Sequence, residues 1–134
     1  MKKTKYLILI ISTLLILTSC NKKQKIGDIL NIDENDIEKI VVSTTLIYGR
    51  TDILLDQKQY KDLLDKFTDF EVKEIEEDHM KGWLYSIDIE TKTGDLKTIT
   101  FRGDDKVYLN SKLYICDSYD RDFLLYLFDA KTQW

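Results

Sequence analysis

Segment 83–90 alternates apolar and polar side chains, and this pattern constrains the fold more than any other feature of the chain. Its inward positions are the four large apolar residues Trp83, Tyr85, Ile87 and Ile89. A period of two is typical of a β-strand that buries one face and exposes the other to water. A turn at residues 93–95 and a return segment at 96–102 follow, so the two segments predict an antiparallel hairpin.

Other short segments also have the composition of strands. Segment 37–48 is rich in β-branched residues, and segment 51–55 returns after the turn Gly49-Arg50. β-Branched and aromatic residues are enriched in strands. Further strands are predicted near 70–75, 107–109 and 113–115. Consecutive hairpins of this kind form an antiparallel sheet, and we expect about five to seven short strands.

One helix is predicted inside the chain, at about residues 57–67. Tyr60, Leu63, Leu64 and Phe67 are spaced at i, i+3, i+4 and i+7, which places them on one face of a helix. Asp56 precedes this stripe in the N-cap position, with the glutamine of a capping box three residues later.

A second helix is predicted at the C-terminal end, at about residues 118–130, after Asp117 or Ser118 as its cap. Its expected inner stripe consists of Tyr119, Phe123, Tyr126 and Leu127, widened by Leu124 and Phe128. With an antiparallel sheet and helices covering one of its faces, the fold class is predicted to be α+β.

The first twenty residues have the pattern of a processed export signal. Three lysines precede a mostly apolar run at residues 6–17, and the segment ends in Leu17-Thr18-Ser19-Cys20. Twelve residues cover about 18 Å in a helix, whereas a bilayer core needs about 20 residues. The segment therefore predicts a signal peptide and not a membrane span.

The sequence Leu17-Thr18-Ser19-Cys20 resembles the lipobox of bacterial lipoproteins. The resemblance covers the first twenty residues, and it implies that residues 1–19 are removed and that Cys20 becomes a lipidated N-terminus. Residues 20–25 then form a short basic tether, and residues 26–134 form a single domain. The chain is similar to small lipoproteins of Gram-positive bacteria, which implies a lipid anchor on the extracytoplasmic face of the cell membrane. An ordinary secretory signal with a chance cysteine is the alternative.

The net charge of the chain limits the kinds of partner that it can bind. Removal of residues 1–19 takes away three lysines and no acid, which leaves 17 Lys and Arg against 24 Asp and Glu and a net charge of −7. This balance argues against nucleic acid, which binds basic surfaces. The expected partners are the membrane, through Cys20, and a protein or peptide ligand, with the protein itself a monomer. No cofactor is expected, because the sequence contains no phosphate-binding glycine loop and no Cys-x-x-Cys pair.

His79 and Cys116 are the residues to consider for catalysis or metal binding, and neither is assigned such a role. His79 is the only histidine and follows three acidic residues, which we interpret as a solvated loop. Cys116 ends an apolar run and is predicted to be a buried core thiol. A Cys116–His79 nucleophile pair is an alternative, since such pairs meet in space and not in sequence.

The expected function is that of a membrane-anchored lipoprotein with a small non-enzymatic binding or accessory domain. Aromatic residues with a polar group are enriched at recognition surfaces, so Trp83 and Trp134 are the candidate interaction residues. An immunity-type module that captures a basic exported protein is one version of this hypothesis. The alternative is a small cell-surface enzyme or metal-dependent protein that uses His79 and nearby acids. A third hypothesis is that residues 12–19, which resemble a lipoprotein-derived signalling octapeptide, are themselves a product.

Overall fold

A computed structural model of the chain describes residues 22–47, 49–79 and 81–132, with the backbone alone for 130–132. The predicted signal peptide, the predicted lipidation residue Cys20 and the candidate interaction residue Trp134 lie outside these described residues. Within them, no helix is both long enough and apolar enough to cross a membrane.

The described chain folds into one antiparallel sheet of eight strands with three helices, so the predicted α+β class is confirmed. The strands are β1 (Gln24–Lys25), β2 (Ile37–Thr44), β3 (Thr51–Leu54), β4 (Glu71–Glu74), β5 (Tyr85–Thr91), β6 (Leu96–Arg102), β7 (Lys106–Leu109) and β8 (Lys112–Cys116). Their order across the sheet is β1-β4-β8-β7-β6-β5-β2-β3.

The predicted number of strands, five to seven, was wrong. Strand β1 has only two residues, and these lie within the segment predicted to be a tether. It exists because Gln24 pairs with Val72 and Lys25 pairs with Glu71. Pairing with a distant strand creates β1, and a two-residue segment of polar side chains carries no strand pattern of its own.

The helices are α1 (Ile26–Leu30), α2 (Gln57–Phe67) and α3 (Arg121–Thr132), and a short 3-10 turn spans Glu34–Asp36. The predicted bounds of α2 are confirmed, and its predicted stripe of four apolar residues is buried. At its start, the backbone N–H of Asp56 donates to Oε1 of Gln59 at 3.0 Å, as a capping box requires.

Helix α3 begins three residues later than predicted. The carboxylate of Asp120 accepts a hydrogen bond from the backbone N–H of Phe123 at 2.9 Å, so Asp120 and not residue 117 or 118 caps the helix.

The predicted inner position of Tyr126 in helix α3 was wrong, since this residue is 63% exposed. Within residues 121–129, the buried side chains of the helix are Leu124, Leu127 and Phe128. Tyr119, which precedes the helix, is buried and stacks on Phe101 with 4.1 Å between ring centroids.

One face of the sheet forms the core together with the helices. A row of inward side chains runs across four neighbouring strands, because Val42 lies opposite Ile87, Ile87 opposite Ile99, and Ile99 opposite Leu109. All four are almost fully buried. The predicted alternation is confirmed from Tyr85 to Ile89, whereas Trp83, predicted as a fourth inward position, precedes the strand and is only half-buried.

The described residues of the connection from β4 to β5, 75–79 and 81–84, cross the other face of the sheet and are called the crossing loop here. Strands β8, β7 and β6 lie between β4 and β5, so this connection must pass over all three. At its start the N–H of Ile75 donates to the carbonyl of Leu113, and at its end the N–H of Leu84 donates to the carbonyl of Phe101. Leu113 is buried on this face, outside the main core.

The point where the chain enters the sheet and the β6–β7 turn lie at opposite ends of the sheet. The register of β1 against β4 shows that the chain enters the sheet from the Glu74 end of β4. The β7–β8 turn, residues 110–111, lies at this end. The opposite end carries the β6–β7 turn, residues 103–105, and the last residues of the crossing loop.

Candidate functional site

A cleft of about 340 Å³ opens where the crossing loop meets the β6–β7 turn, at the end of the sheet opposite to the one where the chain enters. Charged residues and one tryptophan line it: Asp78, Lys81, Trp83, Arg102, Asp105 and Lys106. Two distant parts of the chain therefore build one site, residues 78 and 81–84 on one side and residues 102–106 on the other.

Arg102 is the central polar residue of the cleft. Phe101 points into the core, so the alternation of β6 places Arg102 on the other face, beneath the crossing loop. There it is only 7% exposed. Its Nη1 donates to Oδ1 of Asp78 at 3.1 Å and to the hydroxyl of Tyr108 at 2.9 Å. A buried guanidinium of this kind is stable only where an anion and hydrogen-bond acceptors surround it.

Asp78 connects Arg102 with a second cation. Its Oδ2 accepts from Nζ of Lys106 at 2.5 Å, while its Oδ1 accepts from Arg102. The neighbouring Glu77 lies 3.5 Å from the hydroxyl of Tyr108. The carboxylate of Asp78 thus fastens the crossing loop to strands β6 and β7 and neutralises part of the positive charge beneath it.

Trp83 forms an aromatic wall of the cleft and is half-buried. The guanidinium carbon of Arg50 lies 5.8 Å from its ring centroid, within the range of a cation–π contact. The backbone is held as well, because the carbonyl of Trp83 accepts from Oγ1 of Thr45 at 2.7 Å. The geometry is suited to a binding role for Trp83, which stays a prediction.

His79 follows Asp78 in the crossing loop, where it is exposed and has a φ of 55°. In residues 22–47, 49–79 and 81–132, no group of three or more His, Cys, Asp or Glu side chains is arranged to hold a metal ion. The structure places Asp78 with Arg102 and Lys106, and it leaves His79 on the solvent side of the loop.

Cys116 is buried and unpaired with another cysteine, so the prediction of a core thiol is confirmed. Burial, and to a smaller extent the nearby carboxylates of Asp105 and Asp117, raises the pKa of the Cys116 thiol to about 11. The thiol packs in the core beneath the helices, whereas His79 is exposed on the crossing loop of the other face. The fold does not bring the two together as a nucleophile and its base.

The sequence does not predict the cluster around Asp78. Its pattern places Arg102 only at the end of a strand and Asp78 only in an acidic loop. The hydrogen-bonded partners are 24 positions apart, so no local spacing marks them. The one available signal is an arginine at a position that should be exposed and adjacent to a turn.

Comparison of the chain with protein-family models, with curated proteins and with solved structures gives no match. The residues that line the cleft indicate which kind of ligand it suits. It offers guanidinium and ammonium donors beside an aromatic ring, a combination suited to binding an anionic group.

Proposed function

We propose that this protein is a lipid-anchored lipoprotein on the extracytoplasmic face of the cell membrane, and that its domain is a non-enzymatic binding or accessory module. The lipobox resemblance at Cys20 supports the anchor. The observation that carries the binding role is the cleft beside Trp83, at the end of the sheet opposite to the end where the chain enters. A lipid on Cys20 would therefore hold the protein at one end and leave the cleft facing away from the membrane.

The dimensions support this arrangement. The four Cα–Cα steps from Cys20 to Gln24 span at most about 14 Å when fully extended. Strand β6 has seven residues, and at about 3.3 Å per residue it is roughly 20 Å long. The entry end of the sheet would lie close to the lipid headgroups, with the cleft about the length of a strand farther out.

The expected ligand is a protein or a peptide. A tryptophan beside buried charged groups is typical of the residues that dominate binding energy at recognition surfaces. The net charge of −7 that follows from removal of residues 1–19 disfavours nonspecific self-association and supports a monomer.

The anchor is tested by labelling cells that express the protein with a radioactive or clickable fatty acid. The chain has two cysteines, so Cys116→Ala is a matched control for Cys20→Ala. We expect the wild-type protein and Cys116→Ala to carry the label and to fractionate with membranes, and we expect Cys20→Ala to carry none. Label on Cys20→Ala equal to that on the wild-type protein would overturn the proposal.

A further inference from the structure

Among the described residues, the guanidinium of Arg102 has N–H donors without a hydrogen-bond partner. Its hydrogen bonds to described residues, to Asp78 and to Tyr108, both start from Nη1. In the described part of the chain, no nitrogen of Arg102 is both buried and without a partner. The Nε and Nη2 groups are therefore not sealed from solvent, and because Arg102 lines the cleft, we take them as the donors that a ligand in the cleft would meet.

The cleft is locally positive in an acidic protein. Three cations line it, Lys81, Arg102 and Lys106, against two carboxylates, Asp78 and Asp105. Both carboxylate oxygens of Asp78 are already engaged by Arg102 and Lys106. An incoming anion would meet the remaining guanidinium donors of Arg102 and the ammonium of Lys81.

The aromatic wall of the cleft, Trp83, places a second requirement on the ligand. Trp83 lines the cleft together with Leu84, so a group that bears the anion should also carry an apolar or aromatic portion. A volume of about 340 Å³ lies at the small end of the range of ligand pockets, about 300–1,000 Å³. It suits one amino-acid residue better than an extended polymer segment.

From these observations we infer that the cleft binds a peptide carboxylate next to an apolar or aromatic side chain, as at the C-terminus of a peptide. This inference deepens the proposed binding function and depends on it. The free edge of a guanidinium presents paired N–H donors whose geometry matches the two oxygens of a carboxylate. A phosphate, with a third oxygen and a second negative charge, would need more donors than the free edge of Arg102 and Lys81 offer, because Asp78 already engages Lys106.

The test is a titration of the full chain, purified in detergent, with three small probes. The chain contains two tryptophans, so Trp134→Phe makes Trp83 the only tryptophan and its fluorescence the reporter. N-acetylphenylalanine should change this fluorescence in a saturable way. N-acetylphenylalaninamide, which lacks the charge, should bind at least about tenfold more weakly, as expected for loss of a charge-assisted hydrogen bond. Phenyl phosphate should also bind more weakly than N-acetylphenylalanine.

Substitutions test whether the change in Trp83 fluorescence comes from binding in the cleft. Arg102→Gln should weaken the binding of N-acetylphenylalanine by about tenfold or more. Lys81→Gln should weaken it less, and because Lys81 is exposed this variant decides the matter if Arg102→Gln does not fold. Lys92→Gln changes an exposed lysine in the β5–β6 turn, at the other end of the sheet, and should have no effect.

The inference is overturned if the acid and the amide bind equally, if neither changes the fluorescence, or if Lys81→Gln and Lys92→Gln behave alike. Tighter binding of phenyl phosphate than of N-acetylphenylalanine would replace the carboxylate with a phosphate ligand. None of these results affects the fatty-acid labelling of Cys20, so failure of the ligand assignment and failure of the anchor are distinguishable.

Discussion

Asp78 and Arg102 are 24 positions apart, and yet Oδ1 of Asp78 lies 3.1 Å from Nη1 of Arg102. The side chain of Arg102 is almost fully buried beneath the crossing loop that carries Asp78. This contact and the one from Asp78 to Lys106 hold the loop against the sheet and shape the cleft beside Trp83. Removal of one partner of such a pair leaves a buried charge without compensation.

Asp78→Ala should therefore lower the free energy of unfolding by about 1–3 kcal/mol, the usual cost of leaving a buried polar group unsatisfied. Glu76→Ala removes an exposed carboxylate two residues earlier in the same loop and should change stability by less than about 0.5 kcal/mol. Urea denaturation of the two variants measures the difference. Equal stability would show that the Asp78–Arg102 pair contributes nothing to the fold.

Gly27 allows helix α1 to pack closely against the end of α2. Its N–H donates to the carbonyl of Thr68 at 2.8 Å, and a Cβ at this position would lie 2.9 Å from that same oxygen. Gly27→Ala should thus destabilise the protein by about 1–3 kcal/mol, as other overpacked contacts do. Asp28→Ala, at the exposed next position, is the control. A rise in melting temperature for Gly27→Ala would contradict the close packing.

Asp120 gives α3 a pH-dependent cap. The pKa of its carboxyl is lowered from 3.8, first by the backbone N–H of Phe123 and then by Lys66. Because the unfolded carboxyl has the higher pKa, the unfolded state takes up protons first as the pH falls. The stabilisation is complete above a pH of about 4 and is lost as the pH falls through the folded pKa.

Asp120→Ala should accordingly cost about 1 kcal/mol at pH 7, the typical contribution of a helix N-cap. The difference from the wild-type protein should shrink as the pH is lowered below 4, and urea denaturation at several pH values measures it. A deficit of the same size at pH 3 and at pH 7 would exclude the charged cap as its source.

The Cys116 thiol should be unreactive until the protein unfolds. In a Cys20→Ala background it is the only thiol, so iodoacetamide reports on it alone. At pH 8 we expect alkylation of the folded protein to be at least about a hundredfold slower than in concentrated urea, since a buried thiol is protected by the fold and by its raised pKa. Similar rates in the two conditions would place Cys116 outside the core.

The same thiol makes stability fall at high pH. Its folded pKa of about 11 lies above its ordinary value of 9.0, so the folded state holds the proton more tightly. The contribution is complete below pH 9 and is lost as the pH rises from there toward 11. Cys116→Ala should have a flatter stability profile over this window, and an unchanged slope would contradict the assignment.

Elements whose pattern is set by local burial could be predicted from the sequence. Tyr85, Ile87 and Ile89 are buried at every second position, and the stripe of α2 follows from residues three and four positions apart. Each pattern lies within one element, because each reflects a single face packed against the core. The α+β class follows from the order of these elements.

The parts of the fold and of the cleft that could not be predicted depend on contacts between residues far apart in the sequence. Strand β1 exists only through its pairing with Val72 and Glu71, and the crossing loop is shaped by Asp78 reaching Arg102. The exposure of Tyr126 depends on which side of α3 meets the sheet, and a helix with apolar residues on several sides leaves that open. Trp83 could be selected as a candidate from its residue type, but the charged groups around it could not.

Intact-mass spectrometry of the protein extracted from membranes decides whether Cys20 carries the lipid anchor. We expect a mature chain that begins at Cys20, without residues 1–19, and that carries the added mass of a diacylglyceryl group on this cysteine. A chain that retains Met1, or a secreted chain with an unmodified Cys20, would contradict it.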